Sequence, residues 1–334
     1  MKKIGYLGMG AWGYCLASLL ASKEDFNVVC WTTKPELAAH LNQTREHPLL
    51  PGHHSTGHLH FTTDMAHVLD QADMIVESVT SAGLRSVFEQ VRALGLPSCP
   101  VVITSKGIEQ DTGRILPEVA AEVLGENFRH LIGFLSGPSF AQEVIRGLPT
   151  SVVGTGFNLE TIQQVCETFT TPTFRIYPNT DILGVAFGGA LKNIIGIACG
   201  ISDGLGLGCS SKAALMTRGL HEIRKLAIAY GCKPETINGL AGMGDLCVTC
   251  SSTMSRNFRF GALLAQGLSA EEAQKKIGMV VEGAYTCISA LQLGQKQQVS
   301  LPIAETVYQI MYQKMQPQDA VRALMQRTIK EEHL

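Results

Sequence analysis

Short apolar runs recur through the first half of the chain, and most are followed by a segment with helical character. Residues 3–7 (K-I-G-Y-L) read as a short buried strand, and residues 11–22 follow as a helix of small and apolar side chains. Further strand-like runs lie at 27–31, 73–79, 101–104, 131–135, 151–153 and 174–177, with helical segments such as Leu84–Leu94 and 115–124 between them. Strand alternating with helix predicts an α/β architecture, a parallel sheet covered on both faces. After Asn179 the texture changes. Residues 181–200 and 211–230 are long, helix-friendly and poor in β-branched clusters. Ser255 can cap a helix running to Gly267, Ser269 with Glu272 has the spacing of a capping box, and Pro302 and Pro317 sit where a first-turn proline is tolerated. The expected organisation is a Rossmann-type parallel sheet domain over 1–180 and an all-helical domain over 181–334.

Composition narrows the class. Hydrophobic residues make up 45% and charged residues 17% of 334, enough for well-buried cores and contrary to disorder. The net charge of −2, without a block of like charges, gives no reason to expect a nucleic-acid or anionic-membrane partner. Cys15, Cys30, Cys166, Cys199 and Cys287 lie inside apolar runs, where a thiol behaves as a small hydrophobe, so a reducing, cytoplasmic setting is expected. No apolar run is read as approaching the ~20 residues of a spanning helix, and a soluble protein is expected. Met1-Lys2-Lys3 before an apolar stretch resembles a secretion signal, but Gly5, Gly8, Gly10 and Gly13 interrupt it and have a better explanation.

That explanation is a G-x-G-x-x-G, Gly8-Met9-Gly10-Ala11-Trp12-Gly13, directly after a strand and before a helix. Gly8 suits a tight turn, Gly10 lets a pyrophosphate reach the backbone, and Gly13 permits close helix–strand packing. The following helix N-terminus presents unpaired N–H groups to the anion. In this context the motif predicts a dinucleotide site, against the alternative of a glycine-rich turn in another doubly wound protein. The second strand ends in Trp31-Thr32-Thr33-Lys34, with no acid for a ribose 2′-hydroxyl and no arginine for a 2′-phosphate. Either NADH or NADPH fits, with NADPH slightly favoured.

Later segments are more specific: K-G-I-E (106–109), S-G-P-S-F-A-x-E-V (136–144), G-L-P-T (147–150), G-A-L-K-N (189–193), T-R-G-L (217–220), G-L-A-G-M-G-D-L (239–246), S-R-N (255–257) and V-E-G (281–283). In that order the chain resembles the bacterial NAD(P)-dependent glycerol-3-phosphate dehydrogenases, from residue 3 to about 325. The resemblance implies reduction of dihydroxyacetone phosphate to sn-glycerol 3-phosphate for phospholipid synthesis. It implies catalytic roles for Lys192 as general acid/base, Lys106 as a neighbouring cation and Asp245 as an orienting carboxylate. Substrate contacts are expected at Lys106, Gly137, Ser139, Lys192, Asp245, Ser255, Arg256 and Asn257. Cofactor contacts are expected at Gly8, Gly10, Ala11, Trp12, Gly13, Thr32, Thr33, Lys106, Ala141, Arg256, Val280 and Glu282. The partners implied are small molecules, and at most a second copy of the chain in a homodimer.

The residues suit that chemistry. Reducing a ketone needs a hydride from the nicotinamide and a proton for the developing alkoxide. Lys192 stands in the apolar stretch A-L-K-N-I-I-G-I-A, either snorkelling to the surface or placed for function. Ser255-Arg256-Asn257 at a helix start offers a cap, a charged fork and an amide to a phosphate; on local sequence alone an ordinary capped surface helix is the better explanation, and the resemblance reverses that order. Gly137 also fits a turn, Val280 a core position and Asp245 a turn-forming role.

The chain departs from the family pattern at Ala11 (usually Ser), at Val79-Thr80-Ser81 (V-P-S without its proline), at Gly184–Gly189 (Ala186 for a carboxylate) and at Gly208-Cys209-Ser210 for G-D-N. These bear on cofactor preference and kinetics rather than on the reaction. Cys247-Val248-Thr249-Cys250 is a lone C-x-x-C without further ligands, and the histidines between His53 and His60 read as a His-rich loop, so no metal is expected. Two other readings stay open. One is a relative of the same plan acting on a 3-hydroxy acid or ketopantoate; the other is a dinucleotide-binding regulator without turnover.

Overall fold

A computed structural model of the chain describes residues 1–110, 112–329 and 331–332, so residues 330, 333 and 334 of the expected helical region lie outside it. The strands are β1 (Lys2–Leu7), β2 (Phe26–Trp31), β3 (His58–Thr62), β4 (Met74–Glu77), β5 (Val101–Ile103), β6 (Ile132–Ser136), β7 (Thr150–Gly156) and β8 (Phe174–Asn179). They form one sheet in the order β3-β2-β1-β4-β5-β6-β7-β8. Between them run α1 (Ala11–Ala21), α2 (Pro35–Thr44), α3 (Met65–Leu69), α4 (Leu84–Leu94), α5 (Leu116–Leu124), α6 (Ala141–Val144) and α7 (Leu159–Phe169). The order reverses between β1 and β4, which opens a crevice at the carboxyl ends of these strands, the usual ligand position in a doubly wound sheet.

Alternation along β1 divides the core. Ile4 and Tyr6 face one side with Val28, Cys30, Phe61 and α1, while Leu7 faces the other with Val29, Ile75 and the residues of α4 and α5. The second core continues without a break into the helices beyond β8.

Three expectations need correction. The sheet is not wholly parallel: β6 and β7 pair antiparallel. The connection between them holds only the single turn α6, too little helix to carry the chain across the sheet for a parallel return. The His-rich segment is not all loop, because His58 and His60 belong to β3. Their imidazoles are exposed while Leu59 and Phe61 are buried, a period-two pattern masked by the histidines.

The third correction concerns length and apolarity. After β8 come α8 (Ile182–Gly204), α9 (Gly208–Ala229), α10 (Pro234–Asn238), α11 (Asp245–Ser251), α12 (Arg256–Ala265), α13 (Ala270–Ile277), α14 (Glu282–Lys296), α15 (Pro302–Tyr312) and α16 (Pro317–Met325). The 23-residue α8, with mean hydropathy 1.8, is long and apolar enough to cross a membrane. It is instead the central helix of this half, 94% buried over its most apolar window and surrounded by α9, α11, α12 and α14. Small residues permit that crowding. A Cβ at Gly196 would meet the Thr249 methyl at 2.8 Å, and one at Gly204 would meet Ala265 at 2.7 Å. The expected caps are present: Ser255 accepts from the Phe258 N–H at the start of α12, Ser269 and Glu272 close a capping box on α13, and prolines open α15 and α16.

Candidate functional site

The sheet side of the site is the turn from β1 into α1. Gly8 has φ +101°, a region favouring glycine, and a Cβ there would lie 2.7 Å from the Ser78 carbonyl oxygen after β4. A Cβ on Gly13 would overlap the Gly8 carbonyl oxygen, whereas nothing lies within 4 Å of one on Gly10. Two glycines therefore serve packing, and the third faces open space. The first turn of α1 has neither a side-chain cap nor an acidic residue, so its N–H groups and partial positive charge are available to an anion. Ala11 and Trp12 are partly buried beside this turn. Ala141, at the start of α6, packs close by, its carbonyl accepting from the Cys15 thiol. At the end of β2, Thr32 is buried and its hydroxyl accepts from the Lys34 N–H, while Thr33 and Lys34 are exposed.

The other side is a cluster of charges brought together from distant segments. Lys192, on α8, is buried and donates to Asp245 Oδ1 and to Thr249 Oγ1 at 2.8 Å. Lys106, just after β5, donates to the other carboxylate oxygen of Asp245 at 2.6 Å and to the Gly137 carbonyl at 3.1 Å. Asp245 is fully buried and opens α11. The preceding Gly-rich segment is a π turn, Leu240–Gly244, in which the Gly244 N–H reaches the Gly239 carbonyl. A Cβ on Gly188 would lie 2.7 Å from the Ala241 carbonyl oxygen, so α8 and the π turn meet backbone to backbone.

Burial pushes the Lys192 amine down to about 8, helped by the like charge of Lys106, while Asp245 and, more remotely, Glu282 pull the other way. An ammonium has three N–H donors, and Asp245 and Thr249 take two of them. The third remains for a ligand oxygen.

Polar contacts extend from this cluster. Asn193 accepts from the Asn257 amide at 2.9 Å and donates to Glu282 at 3.4 Å, and Asn257 in turn accepts from the Gly283 N–H. Arg256 donates to the Val280 carbonyl at 3.0 Å, and Val280 is exposed. Ser255 uses its hydroxyl as a helix cap. Ser139 donates to the Gly137 carbonyl, the group that Lys106 also contacts. Gly137 has φ +149°, and a Cβ there would lie 2.8 Å from Val152, so backbone geometry alone requires glycine.

Three residues of this region carry no role in the sequence reading: Thr249, Asn193 and Glu77. Thr249 follows Asp245 at helical i+4 spacing on α11, whereas in the sequence it stands out only as part of the C-x-x-C. Among the described residues no group of three or more His, Cys, Asp or Glu could hold a metal. A cavity of about 1180 Å³ lies elsewhere, between α8, α9, α15 and α16.

With this geometry in hand, comparison with known proteins identifies the family. Sequence profiles of the NAD-dependent glycerol-3-phosphate dehydrogenase N-terminus and C-terminus match residues 3–161 and 181–322. The chain is 78% identical over 334 residues, the full length of both, to a glycerol-3-phosphate dehydrogenase (NAD(P)+) of Protochlamydia amoebophila. It is 55% identical over 333 residues, covering 100% of this chain and 99% of the other, to the enzyme of the same name in Chlamydia pneumoniae. The crystal structure of glycerol-3-phosphate dehydrogenase from Coxiella burnetii superposes with a TM-score of 0.92 at 35% identity, over 98% of this chain and 99% of that one. The chain belongs to the NAD-dependent glycerol-3-phosphate dehydrogenase family.

Proposed function

We propose that this protein reduces dihydroxyacetone phosphate to sn-glycerol 3-phosphate with NADH or NADPH, reversibly, as a supply of glycerol phosphate for phospholipid synthesis. The observation that carries the reading is the buried Lys192 ammonium, held by Asp245 and Thr249 with one donor left over. An amine titrating near 8 is a workable proton donor at neutral pH, and the apolar helix around it keeps water from competing. Asp245 and Thr249 orient the amine, and Lys106 adds positive charge where an alkoxide develops. Arg256, Asn257 and Ser255 are assigned to the substrate phosphate, with Gly137 and Ser139 lining the substrate beside Lys106.

Gly8, Gly10, Ala11, Trp12 and Gly13 would hold the dinucleotide, with Thr32 and Thr33 at its ribose and Lys106, Ala141, Arg256, Val280 and Glu282 nearer its nicotinamide end. The open space at Gly10 and the uncapped start of α1 fit a pyrophosphate. When bound, the nicotinamide supplies the hydride. Residues 1–180 then serve as the cofactor unit and 181–334 as the substrate unit, working in the cytoplasm without membrane insertion. Assembly as a homodimer is part of the same reading, supported by exposed Leu207 and Met325 at the rim of the α9–α16 cavity and checked by light scattering.

The deciding assay follows absorbance loss at the reduced-nicotinamide band with dihydroxyacetone phosphate and either nucleotide. Loss is expected with both. Tight nucleotide binding without any loss would leave a non-catalytic regulator in its place.

A further inference from the structure

Glu77 ends β4 with its side chain fully buried at the crevice where the strand order reverses. Its carboxylate accepts from the Val79 N–H at 2.5 Å and from the Ser105 hydroxyl at 2.6 Å, and the Ser105 backbone N–H also bonds to it. None of these donors is charged. Burying a carboxylate without a cation is costly, and here burial lifts its titration to about 7.

The donors point to what it does. Two of the three belong to Ser105, the residue immediately before Lys106, and the third belongs to the turn that follows β4. The backbone of Glu77 reinforces the tie, its carbonyl accepting from both the N–H and the hydroxyl of Thr104. Gly107, on the far side of Lys106, has φ +156°, and a Cβ there would lie 2.6 Å from the Ser81 side chain. The chain is thus fixed on both sides of Lys106, whose long side chain must reach Asp245 and the Gly137 carbonyl from that point.

We propose that Glu77 is a positioning residue: by holding Ser105 it sets the point from which Lys106 reaches the substrate and Asp245. The proposal rests on the reading of Lys106 as a substrate contact, and its test separates the two. Dihydroxyacetone phosphate is titrated calorimetrically into protein saturated with NAD+, a pair that cannot exchange a hydride, for wild type, Glu77→Ala, Lys106→Ala and the double variant. Glu77→Ala is expected to weaken binding about tenfold in wild type but less than twofold once Lys106 is gone, with NAD+ kept saturating for every variant. Glu77→Gln should fall between, because its amide oxygen can accept from Val79 while its NH2 cannot accept from the Ser105 N–H.

Equal weakening in both backgrounds, or none in wild type, overturns the proposal. Should Glu77→Ala fail to fold, Ser105→Ala in the same cycle removes the hydroxyl donor alone, with a smaller loss that Lys106→Ala must again absorb. If wild type binds no dihydroxyacetone phosphate, the functional reading itself falls and takes this one with it. If wild type binds and the cycle is additive, only the role of Glu77 falls.

Discussion

At the β1–α1 turn the protein can meet an anion with backbone alone: glycines, free N–H groups and a helix end, with no charged side chain in the first turn. Around Lys192 it does the opposite, packing two ammonium groups and a carboxylate from three segments into a buried cluster. The first arrangement suits a ligand part that is held but not transformed, because fixed dipoles need no protonation change to bind it. The second suits the reacting end, where an amine near 8 can give up a proton and regain it. Binding and chemistry are thereby assigned to different physics, and substitutions should affect one without the other.

The largest separation is expected from Lys192→Ala. Losing the proposed general acid should lower kcat about 10³-fold, with NADPH affinity held within about twofold because the β1–α1 turn is untouched. Steady-state kinetics beside a fluorescence titration of the nucleotide would read both numbers, and near wild-type turnover would remove Lys192 from the mechanism.

The converse comes from two glycines. Gly13→Ala puts a methyl into the Gly8 carbonyl and should destabilise the fold, by about 2 kcal/mol or more for a clash in a packed core. Gly10→Ala meets nothing, so thermal stability should be preserved while nucleotide affinity falls about tenfold, the methyl standing at the proposed pyrophosphate position. Equal melting temperatures for the two variants would break the distinction between a packing glycine and a ligand-facing one.

A smaller but directional effect separates the sides by pH. With Lys192 as the proposed proton donor for ketone reduction, kcat/KM should fall as pH rises through about 8. In Lys106→Ala the like charge is gone and that limb should move to higher pH. Stability runs the other way. With a folded value of about 8 below the ordinary 10.5, the unfolded chain holds more protons in that window, so Lys192 contributes stability that rises between about 8 and 10.5. A reduction profile flat from pH 7 to 9.5 would place the proton donor elsewhere.

The same contrast governs what could be read from the sequence. The turn at residues 8–13 is local, and each glycine carries its geometric reason in its spacing. Lys106, Lys192 and the Asp245–Thr249 pair of α11 share no local pattern with one another; Lys192 meets that pair because α8 lies against the π turn and α11. The family motifs pointed to Lys106, Lys192 and Asp245, and nothing in them pointed to Thr249, which stood out only as part of a C-x-x-C. Glu77 was invisible for another reason. In D-M-I-V-E-S-V it looks like a charge interrupting a strand, and its burial depends on donors 28 residues away. The β3 strand was lost because histidine was counted as a loop residue when only its exposed face mattered.

The smallest expected effect lies at the rim of the backbone-lined half. Lys34 stands exposed at the N-cap of α2, next to Thr33, with Glu36 in the following turn as the nearest opposing charge in sequence. No acid ends β2 to accept a ribose 2′-hydroxyl, so the only formal charge there that separates the two nucleotides is this lysine's attraction for a 2′-phosphate. An exposed pair of this kind is screened, worth roughly 0.2–1 kcal/mol, and reversing the charge adds a comparable repulsion. Lys34→Glu should therefore move the NADPH to NADH ratio of kcat/KM about fivefold toward NADH, with the melting temperature unchanged and kcat at saturating NADH intact. Because the charge is exposed, the shift should shrink as salt is raised from low to physiological strength. An unchanged ratio at low salt would mean that nucleotide choice is made by Thr32 and Thr33 through hydrogen bonds, leaving the rim as free of side-chain charge as the turn itself.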